Sequence, residues 1–136
     1  MSLFGGLSIS GSGMTAERLR MDVIAENLAN AESTRGADGQ PYRRKQVVLG
    51  AAGGGSFGDV LDGVRVKSVI EDSSPGKKVY DPSHPDADQQ GFVTMPNVNT
   101  VTEMVDLITA SRGYEANVQA MNAAKQMFQR TLDLLR

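Results

Sequence analysis

The residues best equipped for chemistry in this chain lie in one short run, Asp81-Pro82-Ser83-His84-Pro85-Asp86-Ala87-Asp88, which sets carboxylates around the only histidine. Oxygen-rich clusters of this kind can hold Ca²⁺, or Zn²⁺ where imidazole contributes. The spacing matches neither the twelve-residue calcium loop nor a zinc pair. A turn in which the Asp side chains accept from nearby backbone N–H groups accounts for the run without a cation. Pro82 and Pro85 fix φ and remove donors, so the segment is neither helix nor central strand. The chain has no cysteine, hence no thiolate nucleophile and no disulfide. Gly53-x-Gly55-x-x-Gly58 has the spacing of a dinucleotide fingerprint, but Asp62-Gly63 and the alternating Val64–Ile70 run stand where a helix would have to open. It reads as a flexible loop. No enzyme, cofactor or metal is expected.

The other unusual residues are asparagines in helical surroundings. Asn27 and Asn30 lie three apart in Ala25-Glu26-Asn27-Leu28-Ala29-Asn30-Ala31, on one helix face. They can hydrogen-bond a neighbouring helix and fix its register, or Asn30 can simply end the helix. Asn97, Asn99 and Asn117 are placed to do the same at the other end of the chain.

These residues depend on two helices at opposite ends of the sequence. Residues 1–13 are rich in Gly and Ser and read as a flexible lead-in. From Met14 to Leu28 there is no Gly or Pro. Leu7, Met14, Met21 and Leu28 fall one heptad apart, with Ile24 and Ala31 beside them, which predicts a short coiled-coil-like seam. Stop and turn chemistry follows at Ser33–Gly36 and Asp38–Pro41. Four short strands are predicted, at Tyr42–Leu49, Val64–Ile70, Lys78–Tyr80 and Gly91–Met95. Thr100 with Glu103 reads as a capping box opening a helix of ~35 residues, on the order of 50 Å long. Val101, Val105 and Ile108 take one side of it, while Leu107, Tyr114 and Met121 take another. Val118, Phe128, Leu132 and Leu135 continue the apolar pattern toward the end. Two apolar sides imply two sets of neighbours.

With 136 residues, two helices consuming about half of them, and aromatics at only 5%, the middle is too small for a core of its own. The expected fold is α+β, with long N- and C-terminal helices packed as a coiled-coil-like pair and a small β-rich segment inserted between them. The expected divisions are 1–35, 36–96 and 97–136. Net charge is −2 with both signs intermixed, so no nucleic-acid partner is expected. Nothing reaches the eighteen or so apolar residues of a membrane span, and Met1–Ser12 lacks signal-peptide features.

Ser12-Gly13-Met14-x-Ala16-x-Arg18-x-Arg20 followed by Ala25-x-Asn27-Leu28-Ala29-Asn30-Ala31 resembles the N-terminal signature of the bacterial flagellar rod, hook and hook-associated proteins. Tyr80-Asp81-Pro82-x-His84-Pro85-Asp86-Ala87-Asp88, Gly91-Phe92-Val93, Pro96-Asn97-Val98-Asn99-x-Val101-x-Glu103-Met104-Val105-Asp106 and Arg112-x-Tyr114-Glu115-Ala116-Asn117 resemble the proximal rod proteins of that family in particular. The resemblance implies a structural subunit of the basal-body rod, exported through the flagellar type III apparatus without a cleaved signal. Such a subunit assembles in the periplasm with copies of itself, other rod subunits, neighbouring axial proteins and the membrane-ring region. A dimeric helical adaptor, or another rod- or hook-family axial protein, is the alternative. The expected subunit-interface residues are Leu7, Met14, Met21, Ile24, Asn27, Leu28, Asn30, Val101, Val105, Ile108, Tyr114, Val118, Met121, Phe128, Leu132 and Leu135.

Overall fold

Helix α1 spans Leu3–Ala29 and helix α2 spans Thr100–Leu134, and between them lie β1 (Lys45–Ala51), β2 (Val64–Glu71), β3 (Lys78–Tyr80) and β4 (Phe92–Thr94). The computed structural model describes residues 3–36, 38–53 and 63–134. The α+β architecture is the expected one, two long helices with a small β segment between them. β1 pairs antiparallel with β2 from Lys45↔Glu71 to Ala51↔Val64, with a bulge between Val48 and Leu49; β3 pairs antiparallel with β4, Tyr80 opposite Phe92. A two-stranded ribbon is marginal by itself. Here β1 and β2 lie against α1, and Val64 N–H donates to Ser12 Oγ at 3.0 Å.

The helices run antiparallel. Gly13 abuts Asn117, Gly113 abuts Glu17, and Asn27 bonds Glu103, so residues 13, 17 and 27 of α1 face 117, 113 and 103 of α2. The small core comprises Ala16, Val23, Ile24, Val93 and Ala110 among the described residues. Two expectations are corrected here. The Gly- and Ser-rich residues from Leu3 onward are not a lead-in but the first three turns of α1. Their weak helix propensity is overridden by packing, because a missing Cβ at Gly13 is what lets Asn117 come so close. The buried stripe of α1 is also rotated from the predicted seam: Leu7, Met14, Met21 and Leu28 are only half-buried, and lie about 150° round the helix from Ala16, Val23 and Asn27. Small residues, not the largest ones, occupy the line of closest approach.

The ends of the elements are explained by side-chain oxygens. Asn99 Oδ1 accepts from the N–H groups of Val101 (3.1 Å) and Thr102 (3.2 Å), which makes Asn99 the N-cap of α2. The predicted capping box is therefore incorrect, since Glu103 turns inward instead of back to the helix end. α1 closes at Ala29, and the next residue, Asn30, donates from Nδ2 back to the Glu26 carbonyl at 2.9 Å. β1 begins three residues later than predicted because Tyr42 and Arg44 lend their side chains to the interior.

Gly76 and Gly50 give a contrasting pair of tests. A Cβ on Gly76 would overlap the carbonyl oxygen of Met95, which is fixed by its own backbone, whereas a Cβ on Gly50 would meet only the far end of the Lys67 side chain. Gly76→Ala is expected to lower stability in urea by about 1–3 kcal/mol, with Gly50→Ala near neutral. Equal midpoints for the two variants would contradict this packing.

Candidate functional site: a buried polar junction and exposed helix faces

Glu103 is 0% exposed and Asn27 is 1% exposed, so a carboxylate and an amide occupy the tightest part of the molecule. The Pro96–Asn99 turn and the first turn of α2 place Glu103 opposite the last turns of α1, and Arg44 reaches over from just before β1. Arg44 Nε donates to Glu103 Oε1 at 2.5 Å and its Nη2 reaches Asp106 Oδ2 at 3.4 Å. Asn27 Nδ2 donates to Glu103 Oε2 and to the Lys45 carbonyl, both at 2.9 Å. Its Oδ1 accepts from the Tyr42 hydroxyl and from the Lys45 N–H, also at 2.9 Å. Every hydrogen-bonding position of the Asn27 amide is thus filled.

Burial, followed by the charges of Glu26, Glu103 and Glu71, pushes the Tyr42 phenol up to about 12, which keeps it a donor. Asn97 extends the junction outward: its Oδ1 accepts from Arg44 N–H at 2.8 Å, and its Nδ2 donates to the carbonyls of Asp72 and Ser74. One polar network therefore ties α1, β1, the β2–β3 link and α2 together. Beside it a cleft of about 440 Å³ is lined by Arg20, Val23, Arg44, Val47, Leu49 and Asp106 among others. It presents no nucleophile and no acid–base pair aimed at a common point.

The acidic proline run is a set of turns. Asp81 Oδ1 accepts from the Ser83 hydroxyl (2.6 Å) and N–H (3.1 Å), and Asp88 Oδ1 accepts from the N–H groups of Gln90 (2.8 Å) and Phe92 (2.9 Å). Asp86 points elsewhere, taking the Thr34 hydroxyl and the Arg35 guanidinium, both at 2.8 Å. His84 Nδ1 accepts from the Asp86 N–H at 3.1 Å. No group of three or more metal-ligating side chains is assembled among the described residues.

Hydrogen bonds to Ser83 hold the Asp81 carboxyl below its usual 3.8, and the Phe92 N–H does the same for Asp88. A depressed carboxyl contributes stability that is complete above 3.8 and is lost as pH falls through the lowered value. Amide exchange at Ser83, Gln90 and Phe92, corrected for intrinsic rates, is expected to be slow at about pH 5 and to accelerate only in more acid solution. Acceleration already complete at about pH 5 would contradict the assignment.

The expected interface residues fall into three groups. Ile24 and Asn27 are buried within the chain itself. Leu7, Met14, Met21, Leu28, Asn30, Tyr114, Val118 and Met121 are half-buried. Val101, Val105, Ile108, Phe128 and Leu132 are exposed, while Leu135 and residues 54–62 of the glycine-rich segment lie outside the described residues. Met104 belongs with the exposed group and was missed in the sequence reading; its position three after Val101 was the available signal. At 100° per residue, Val101, Met104, Val105 and Ile108 form one stripe on the side of α2 turned away from Glu103 and Ala110.

Residues 7–37 match the flagella basal body rod protein model, and residues 89–134 match the C-terminal model of the flagellar basal body rod FlgEFG proteins. Over 98% of both chains the sequence is 50% identical to the flagellar basal-body rod protein FlgC of Escherichia coli O6:H1. It is 45% identical to FlgC of Borreliella burgdorferi over 99% of both chains, and 44% identical to FlgC of Bacillus subtilis over 98% of this chain and 99% of that one. The chain belongs to the FlgC family of flagellar basal-body rod proteins. FlgC proteins are structural components of the rod, and so is this chain; it is not an enzyme. For a FlgC-family subunit the polar junction is a fastening between elements, and the functional surface is whatever the subunit offers to its neighbours.

Proposed function

We propose that this chain polymerises with copies of itself and with other rod subunits into a helical tube that transmits torque from the membrane ring toward the distal rod and hook. The observation that carries the reading is the stripe Val101, Met104, Val105 and Ile108, whose members are between 55% and 69% exposed on an otherwise well-fastened helix. Four large apolar residues on one side of two helical turns need cover that the subunit does not supply. The half-buried line Leu7, Met14, Met21 and Leu28 on α1 offers a further face to neighbouring axial proteins. Head-to-tail contacts that do not close give a helical array, and each neighbour added stabilises the folded subunit by mass action.

In this reading residues 1–35 and 97–136 form the packed part of the tube wall, and 36–96 form a small outer element that sets the spacing of protofilaments. The subunit reaches the periplasm through the flagellar type III apparatus without a cleaved signal. No helix among the described residues is long and apolar enough to cross a membrane.

Deleting the gene tests the reading. Cells without the protein are expected to lack every structure distal to the membrane ring, and the intact gene is expected to restore motility. Normal rods in its absence, with a defined dimer by light scattering at micromolar concentration, would replace the rod reading with a helical adaptor.

A further inference from the structure

We propose that His84 is an acid-operated release for the strap that ties the β3–β4 arm to the end of α1. The proposal stands apart from the rod reading, because both parts of the strap lie within one chain.

Of the helices and strands among the described residues, β3 and β4 lie close only to each other. The run that joins them attaches to the rest of the chain through Asp86, whose side chain is 19% exposed. Asp86 Oδ2 accepts from the Thr34 hydroxyl and Asp86 Oδ1 from the Arg35 guanidinium, just beyond α1. The other hydrogen bonds of the run, among the described residues, stay inside the arm.

The run is built as three successive turns in which a side chain accepts from the N–H two residues on: Asp81 from Ser83, His84 from Asp86, and Asp88 from Gln90. The first and third use carboxylates held below their usual 3.8, by Ser83 at Asp81 and by the Phe92 and then the Gln90 N–H at Asp88, so they keep accepting far into acid. The middle turn uses imidazole, the side chain whose charge changes between about pH 5 and 8. Because the Asp86 N–H donates to Nδ1, the neutral ring carries its proton on Nε2, and Nδ1 is the one place a second proton can go. Uptake of that proton converts the acceptor into a donor. The bond that sets the Asp86 backbone is then lost.

The protonated ring also competes for the strap itself. The charged groups around it are Asp81, which feels its charge, Asp86 two residues on, and Arg35 bound to Asp86 from the segment after α1; Lys78 of β3 acts on Asp88. The two carboxylates favour uptake of the proton and Arg35 opposes it. With donors on both nitrogens, the ring draws the Asp86 carboxylate away from Thr34 and Arg35. Both effects have one sign: the strap is complete while His84 is neutral and is released as pH falls through the imidazole range.

Nuclear magnetic resonance on the purified full chain between about pH 8 and pH 5 tests this. The ¹⁵N shifts of the ring are expected to show the Nε2–H form at the upper end and protonation of Nδ1 on descent. Protection of the Asp86 amide, corrected for intrinsic exchange, is expected to fall roughly five- to tenfold with the same midpoint, while Ser83 and Gln90 keep theirs. The backbone shifts of Thr34 and Arg35 are expected to follow that midpoint. His84→Asn retains an acceptor two residues before Asp86 and cannot take up the proton, so in it all of these signals should be independent of pH. Should that variant lose its helical circular dichroism, the wild-type titration decides alone. Unchanged Asp86 protection across full titration of His84 would overturn the proposal, and so would Thr34 and Arg35 shifts that ignore the midpoint. Retained pH dependence in folded His84→Asn would assign the change to another group and overturn it too.

Discussion

Glu103→Ala is expected to cost about 3–5 kcal/mol of folding stability, the largest loss from any single replacement in this chain. The substitution removes the acceptor from Arg44 Nε and from Asn27 Nδ2 together, in a site where neither donor is replaced by solvent at full strength. It also opens a void at the point where α1, β1 and α2 converge. Asn27→Ala is expected to cost less, since Glu103 keeps Arg44. Glu103→Gln keeps the shape and one acceptor and should fall between them. Urea denaturation followed by circular dichroism measures all three. A loss below about 1 kcal/mol for Glu103→Ala would mean that the junction is not what joins the helices.

Replacing both Val105 and Ile108 by Asp is expected to leave the subunit folded and to abolish rod assembly. Both residues project away from α1, so the monomer loses little buried area, whereas a covering neighbour would have to desolvate two carboxylates. Swarming should fall to the level of the deletion strain while the purified protein keeps its wild-type urea midpoint. Normal motility of that double variant would remove the stripe from the assembly surface. Loss of motility together with a lowered midpoint would show that the stripe supports the fold instead.

The sequence made the element order legible because its punctuation is strong. Pro41, Pro75, Pro82, Pro85 and Pro96 all fall outside the observed helices and strands, and the Val64–Ile70 alternation reads directly as β2. Heptad spacing was misleading on α1. Leu7, Met14, Met21 and Leu28 are large apolar residues at heptad spacing, but two backbones approach most closely where side chains are smallest, along Gly13 and Ala16. The junction was invisible for a different reason. Glu103 three residues after Thr100 fits a capping pattern equally well, and only the partner at position 44, 59 residues away, reveals the inward turn. Spacing alone placed Val101, Val105 and Ile108 on one side of α2, but that this side is the exposed one follows only from where α1 packs, through Asn27 on Glu103 and Gly13 on Asn117.

The four glycines at positions 5, 6, 11 and 13 have a kinetic consequence. Each weakens an isolated helix by about 1 kcal/mol relative to alanine, so the opening turns of α1 depend on packing, which comes from the start of β2 at Ser12 and from Asn117 and Met121 of α2 at Gly13 and Gly11. Closing a loop of about a hundred residues costs on the order of 4 kcal/mol in chain entropy before that packing repays it. The full order of the chain's beginning therefore waits on its last forty residues, and the two ends complete their packing together.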